Sequence, residues 1–197
     1  MLIPDPEITN LQQLLEKWNM FLSGSQEAFA EIHQYMYGSL YQYALRMLQE
    51  PALAEDAVQE LFIRLWLKRQ RIRPIQNVKA YLLRALRNQV LNQLRQLKSN
   101  WLQVQFNRTP DIVFSQEDIL VEQETDQAMR QKIQLALNQL PQRQREIIYL
   151  RYFEDLSYEQ IAQIMHLNYQ SALNLVQRAI TSLRKMGLSS FFGFLVI

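Results

Sequence analysis

The sequence predicts an all-α protein built as two helical domains, an N-terminal helical bundle and a C-terminal helix-turn-helix domain, joined by a flexible acidic linker. Three observations carry this. Apolar residues recur at three- and four-residue spacing through most of the 197 positions, as helices that bury one face require. No glycine stands between Gly38 and Gly187, and in that span proline is confined to Pro51, Pro74, Pro110 and Pro141, so little interrupts a helix. Between Asn100 and Asp126 the periodicity fades and the charge turns acidic, which divides the periodic sequence in two. The expected divisions are 1–98 for the first domain, 99–127 for the linker, 128–186 for the second domain and 187–197 for an apolar tail.

In chain order, Leu11, Leu14, Leu15, Trp18 and Leu22 share a helical face, and Ser23-Gly24-Ser25 ends that helix. A second helix is expected from Gln26 to Leu48. A third follows Glu50-Pro51, with Ala54, Ala57, Val58, Leu61, Phe62, Leu65 and Trp66 on its apolar side and Asp56, Gln59 and Glu60 opposite. The run from Arg71 to Asn77 breaks the pattern at Pro74, and Asn77 is placed to cap the next helix. That helix holds Val78, Tyr81, Leu82, Ala85, Leu86, Val90 and Leu94, and its outer face is basic. Thr109-Pro110-Asp111 reads as a turn within the linker.

Helical spacing returns near Met129. Ile133, Leu137 and Leu140 lead to Pro141, and Ile147, Ile148 and Leu150 mark a further helix reaching Phe153. Ser157 and Gln160 have the spacing of a capping box, with Leu156 and Ile161 placed as its hydrophobic staple. A short helix to Met165, a break at His166-Leu167-Asn168 and a longer helix from Tyr169 to Lys185 complete the pattern.

Composition removes several function classes. Cysteine is absent, so disulfides, thiolate metal sites and cysteine nucleophiles have no residue to use. Two histidines, His33 and His166, and four glycines leave little from which to build a metal centre or a glycine-rich phosphate loop. No cofactor is expected, and the chain reads as a non-enzyme. No apolar run approaches the roughly 20 residues of a spanning helix, so no membrane segment is expected and the location is read as cytoplasmic.

The net charge of +2 hides a block pattern. Residues 1–60 carry two basic and nine acidic side chains. From Leu61 to Pro110 there are eleven basic side chains and no acid, and from Asp111 to Asp126 six acids and no base. An unopposed cationic block suits a polyanion, because each Lys or Arg that meets a phosphate releases condensed counterions. Nucleic acid is therefore the expected partner.

The two helices around His166 have the outline of a helix-turn-helix. Ala162 supplies the small residue at the crossing, and Ile161, Met165, Leu167, Ala172 and Leu175 stand where the angle must be sealed. His166 occupies the turn where glycine is usual, so it must accept an unusual backbone. An ordinary helical hairpin is the alternative. In a docked unit, Asn168, Tyr169, Gln170, Leu173, Asn174 and Gln177 would enter the major groove, and Arg178, Arg184 and Lys185 would serve phosphates.

The run from Ala54 to Trp66, AEDAVQELFIRLW, followed by AYLLRALRN from Ala80 to Asn88, resembles the second conserved region of bacterial extracytoplasmic-function (ECF) sigma factors. Leu140-Pro141 with Arg145-Glu146, LSYEQIA from Leu156 to Ala162, Tyr169-Gln170-Ser171, Arg178-Ala179 and Leu183-Arg184 are similar to that family's fourth region. The resemblance implies a dissociable subunit that binds core RNA polymerase and recognises promoter DNA in two pieces. It implies that Asp56, Gln59 and Glu60 bind the clamp of the polymerase's largest subunit. Arg71, Arg73, Lys79, Tyr81, Arg84, Arg87 and Asn88 would hold the melted minus-10 element, where a displaced base is received in a pocket. Asn168, Tyr169, Gln170, Leu173, Asn174, Gln177 and Arg178 would read minus-35 duplex. Ala172, Leu173 and Asn174 stand where family members often carry a basic residue, which leaves Leu173 to meet a thymine methyl or the helix to be blocked against a partner. Residues 109–128 would run through the polymerase, and an anti-sigma factor is an implied partner. Three rival readings remain from the residues alone. One is a helix-turn-helix transcription regulator acting without polymerase, another a helical protein-interaction module. The third is a nuclease, which would need clustered carboxylates that the basic block lacks.

Overall fold

Helix follows helix where the apolar spacing calls for one. The computed structural model describes residues 6–99, 111–115 and 127–188. The chain divides into two units, Met1–Phe106 and Asn107–Ile197.

The first unit consists of α1 (Pro6–Leu22), α2 (Gln26–Leu48), α3 (Pro51–Lys68), a 3-10 turn at Arg69–Arg71 and α4 (Val78–Ser99). Its starts are set by side-chain caps. Ser25 Oγ accepts the Ala28 N–H at 3.1 Å and Asn77 Oδ1 accepts the Ala80 N–H at 2.7 Å, each satisfying a donor that the first helical turn cannot. Pro51, with no N–H to lose, opens α3. α2 lies at the centre and packs on α1, α3 and α4. Trp18, Phe21, Ile32, Met36, Leu40 and Tyr43 fill the core with Val58, Leu82 and Leu86.

α4 turns a slightly different face inward from the one expected. Ala80 and Leu83 are buried, whereas Tyr81 and Ala85 are only half-buried. Both line a cleft between α3 and α4 rather than the core.

The second unit contains α5 (Gln127–Gln139), α6 (Gln142–Tyr152), α7 (Tyr158–Met165) and α8 (Tyr169–Lys185). α8 packs on α6 and α7. Ser157 Oγ accepts the Gln160 N–H and Gln160 Oε1 accepts the Ser157 N–H, so the capping box is complete. His166 ends α7 in the left-handed region, φ 53° and ψ 50°, where its N–H and that of Leu167 both reach the Ala162 carbonyl. Ile161, Ala162, Met165, Ala172 and Leu175 are buried and seal the angle, while Leu167 is half-buried. α8 stops at Gly187, φ 84°, whose N–H donates to the Arg184 carbonyl while that of Leu188 donates to Leu183. Of the expected tail, Gly187 and Leu188 are described and 189–197 lie outside the described residues.

Five residues of the stretch expected to be linker, 111–115, are held by the second unit. Ile112 and Phe114 are buried, and Val113 and Ser115 point outward, an alternation of period two. The Asn138 carboxamide grips the Phe114 backbone in both directions, its Oδ1 accepting the N–H at 2.9 Å and its Nδ2 donating to the carbonyl at 2.9 Å. Gln134 Nε2 donates to the same carbonyl at 3.1 Å. The Phe114 ring lies 5.2 Å from that of Phe153. Asp111 pairs with Arg145, and burial raises the Asp111 carboxyl above its ordinary value although the Arg145 charge opposes this.

Candidate polymerase and nucleic-acid interfaces

Asp56, Gln59 and Glu60 stand exposed on α3, the face expected of them. The same face continues into apolar side chains that the sequence reading did not assign, for Ile63 is 58% exposed and Leu67 73%. With Gln59 they border a groove of about 590 Å³ between α2 and α3, floored by Phe29, His33, Phe62 and Trp66. The rings are in mutual contact. His33 lies 4.5 Å from Phe62, Phe29 5.1 Å from Trp66, and the Arg69 guanidinium 4.4 Å above Trp66. The signal was present as Ile63 and Leu67, one and two turns beyond Gln59 on its polar face. Glu60 is more constrained than its neighbours: it pairs with Arg64 and accepts from Gln89 Nε2 at 3.2 Å.

Behind Glu60 lies the cleft between α3 and α4, about 220 Å³, into which Arg64, Lys68, Ile72, Tyr81, Asn88 and Asn92 project. Of the seven residues expected at melted DNA, Tyr81 and Asn88 line it. Arg71, Arg73 and Arg84 are exposed, and Lys79 and Arg87 are half-buried. Arg64 and Lys68 bring positive charge to the cleft from α3 and were not assigned there. Burial raises the Tyr81 phenol above its ordinary value against the opposing charge of Arg84, so at neutral pH it remains a neutral hydroxyl able to donate. Its ring meets Trp18 of α1 edge-on, centroids 5.3 Å apart at 66°. Gln89, also unassigned, is buried and ties α4 to α3 by donating to the Ala57 carbonyl at 2.9 Å as well as to Glu60. Its place three residues past Leu86, on the apolar face of α4, marked it as a polar group needing buried partners.

In the second unit, Gln170, Asn174, Gln177 and Arg178 form an exposed line along α8. Gln170 Nε2 donates to Asn174 Oδ1 at 3.0 Å, a bond that holds the two exposed amides together. Asn168 is exposed, but its Oδ1 accepts the Ser171 N–H at 2.7 Å, which makes it the cap of α8 and leaves its NH₂ for other work. Tyr169 is exposed, with Tyr158 6.1 Å away edge to face. Leu173 differs from expectation in being half-buried, on the flank of the exposed line. The α8 cations, Arg178, Arg184 and Lys185, are exposed and all lie in its C-terminal half. Among the described residues no group of three or more His, Asp or Glu is placed to hold a metal ion. None of the described helices is long and apolar enough to cross a membrane.

A cleft-bearing helical unit followed by a helix-turn-helix unit matches known families in the same order. Residues 32–100 match the family described as Sigma-70 region 2, and residues 130–183 that described as Sigma-70, region 4. Between them the two matches take in more than half of the chain, which defines a sigma-70 type initiation factor. The chain belongs to the extracytoplasmic-function (ECF) sigma factors, a family of non-enzymatic transcription initiation factors. It is 28% identical over 172 residues to the ECF RNA polymerase sigma factor SigW of Bacillus subtilis (strain 168), covering 82% of this chain and 90% of the relative. SigM of the same organism is 24% identical over 163 residues, covering 81% and 96%. Among solved structures, the sigma factor RpoE in complex with the anti-sigma factor NepR from Bartonella quintana superposes with a TM-score of 0.62 at 24% identity, over 82% of this chain and 97% of that one. That likeness shows the fold.

Proposed function

We propose that the chain docks on core RNA polymerase through the α3 face, receives an extruded minus-10 base in the α3–α4 cleft and reads minus-35 duplex with α8. The observation that carries this reading is the cleft itself. A neutral hydroxyl (Tyr81), a carboxamide (Asn88) and two cations (Arg64 and Lys68) converge on a small recess, the combination of ring, amide and positive charge that single-stranded nucleic acid needs. Arg71, Arg73, Lys79, Arg84 and Arg87 hold the strand's phosphates around it. Asp56 and Gln59 contact the polymerase clamp beside the exposed Ile63 and Leu67, while Glu60 positions the face through Arg64 and Gln89. On α8, Gln170, Asn174 and Gln177 face base edges, Leu173 and Tyr169 flank them, Asn168 caps the helix, and Arg178 serves a phosphate. An anti-sigma factor covering the α2–α3 groove would exclude the polymerase, and the complex of RpoE with NepR supports that partner. The protein acts in the cytoplasm, with the polymerase.

The test is to add the purified chain to bacterial core polymerase and sequence transcript starts across genomic DNA. Defined start sites with a shared upstream element are expected. The double variant D56A/Q59A is expected to abolish co-elution with core enzyme at unchanged helicity. Absence of any defined start with the parent chain overturns the reading.

A further inference from the structure

We infer that Trp18 of α1 is a positioning residue for promoter opening, acting through Tyr81, which rests on the cleft reading above. α1 lies outside the stretch matched to region 2, residues 32–100. Trp18 is 1% exposed, and its indole is set edge-on against the half-buried Tyr81 ring at 5.3 Å. On its other side it meets Phe21, itself fully buried, at 5.1 Å. Tyr81 is thus backed by a ring anchored in the core and also lines the cleft. An exposed tyrosine samples rotamers; one backed by a buried ring presents a fixed wall to an incoming base.

A second observation separates this from core filling. The Trp18 indole N–H has no hydrogen-bond partner among the described residues, although it is buried. An unpaired buried donor is unfavourable, and phenylalanine would fill much of the same space with no donor to desolvate. What the larger indole adds is reach. It extends a rigid edge from α1 to the ring of α4 at the cleft wall. Trp18 touches no nucleic acid in this scheme, and its effect on DNA passes through Tyr81.

The test uses the full chain with core polymerase on the strongest start site found by the genomic mapping, with permanganate reactivity of thymines as the measure of opening. Trp18→Leu, Trp18→Phe, Leu40→Ala, Tyr81→Ala and the double variant W18L/Y81A are compared, each with its melting temperature and its affinity for core enzyme. Trp18→Leu is expected to reduce opening about three- to tenfold, the range of an edge-to-face ring pair, with core affinity unchanged. Trp18→Phe, which fills much of the same space without the indole's reach, should recover most of the melting temperature and little of the opening. Leu40→Ala, a core truncation in α2, should lower the melting temperature as much while opening is kept. In the Tyr81→Ala background the Trp18→Leu loss should vanish. A loss that persists in that background, or one that Leu40→Ala reproduces, overturns the positioning role and leaves the cleft reading standing. If Tyr81→Ala alone leaves opening unchanged, the cleft reading fails, and the role of Trp18 fails with it.

Discussion

Replacing His166 by glycine should stabilise the second unit. The residue sits at φ 53° and ψ 50° with an exposed imidazole, and both its own N–H and that of Leu167 are bonded to the Ala162 carbonyl. An L-residue held in this left-handed conformation costs roughly 1–2 kcal/mol relative to the right-handed one, a penalty glycine escapes. Glycine also has more freedom to lose on folding, which returns about 0.5–1 kcal/mol of that advantage. The net expectation is a gain of about 0.5–1 kcal/mol for His166→Gly, which for a unit of this size raises its melting temperature by about 2–8 °C. His166→Val, with a branched Cβ in the same conformation, should move it the other way by at least ~1 kcal/mol. Calorimetry on the full chain reads both shifts, and Gln49→Gly at φ 55° gives an independent case in the first unit. The αL reasoning is refuted if His166→Gly melts at or below the parent, or if His166→Val melts with it.

Phe114→Ala removes a fully buried ring and should lower the urea stability of the second unit by about 3–5 kcal/mol; a change under ~1 kcal/mol would show that residues 111–115 contribute no burial. Gln89→Ala leaves Glu60 and the Ala57 carbonyl without the amide that bridges them, and a loss of about 1–3 kcal/mol is expected in the same assay, with no loss counting against the bridge. Burial raises the Asp111 carboxyl above its unfolded value, so the folded chain binds that proton more tightly than the unfolded one. Its stabilising effect is then fullest below the unfolded value and is lost as pH rises through the folded one. The stability difference between the parent and Asp111→Asn should therefore grow as pH is lowered from about 7 to about 4, and a difference that shrinks on acidification would mean that the Arg145 charge, not burial, governs this carboxyl.

The helices were legible because their boundaries rest on local chemistry. Ser25, Asn77 and the Ser157–Gln160 pair each announce a helix start within four residues, and Pro51 and Gly187 punctuate α3 and α8. The unusual backbone at His166 was legible for the same reason, since the turn demands it whichever residue is present. What escaped depends on distance. The binding of residues 111–115 needs Asn138 and Gln134, more than nineteen residues further on, and an alternation of five residues is too short to read alone. The Tyr81 spacing fitted the apolar face of α4, yet only the gap between α3 and α4 decides that its ring borders a cleft. Ile63 and Leu67 lie on the polar face of α3, and that they join an aromatic groove depends on Phe29 and His33 of another helix. Trp18 reads as core from its spacing, which it is; its contact with Tyr81 is a tertiary fact.

The grip of Asn138 on Phe114 also works as a buckle on the tether. The covalent bridge from the end of α4 to the first residue held by the second unit runs from Ser99 to Asp111, a span of at most about 40 Å, where a bridge ending only at the start of α5, Gln127, would allow about 95 Å. Once one half has found its target, the local concentration of the other rises as the bridge shortens, by about three- to fourfold for this difference in contour length.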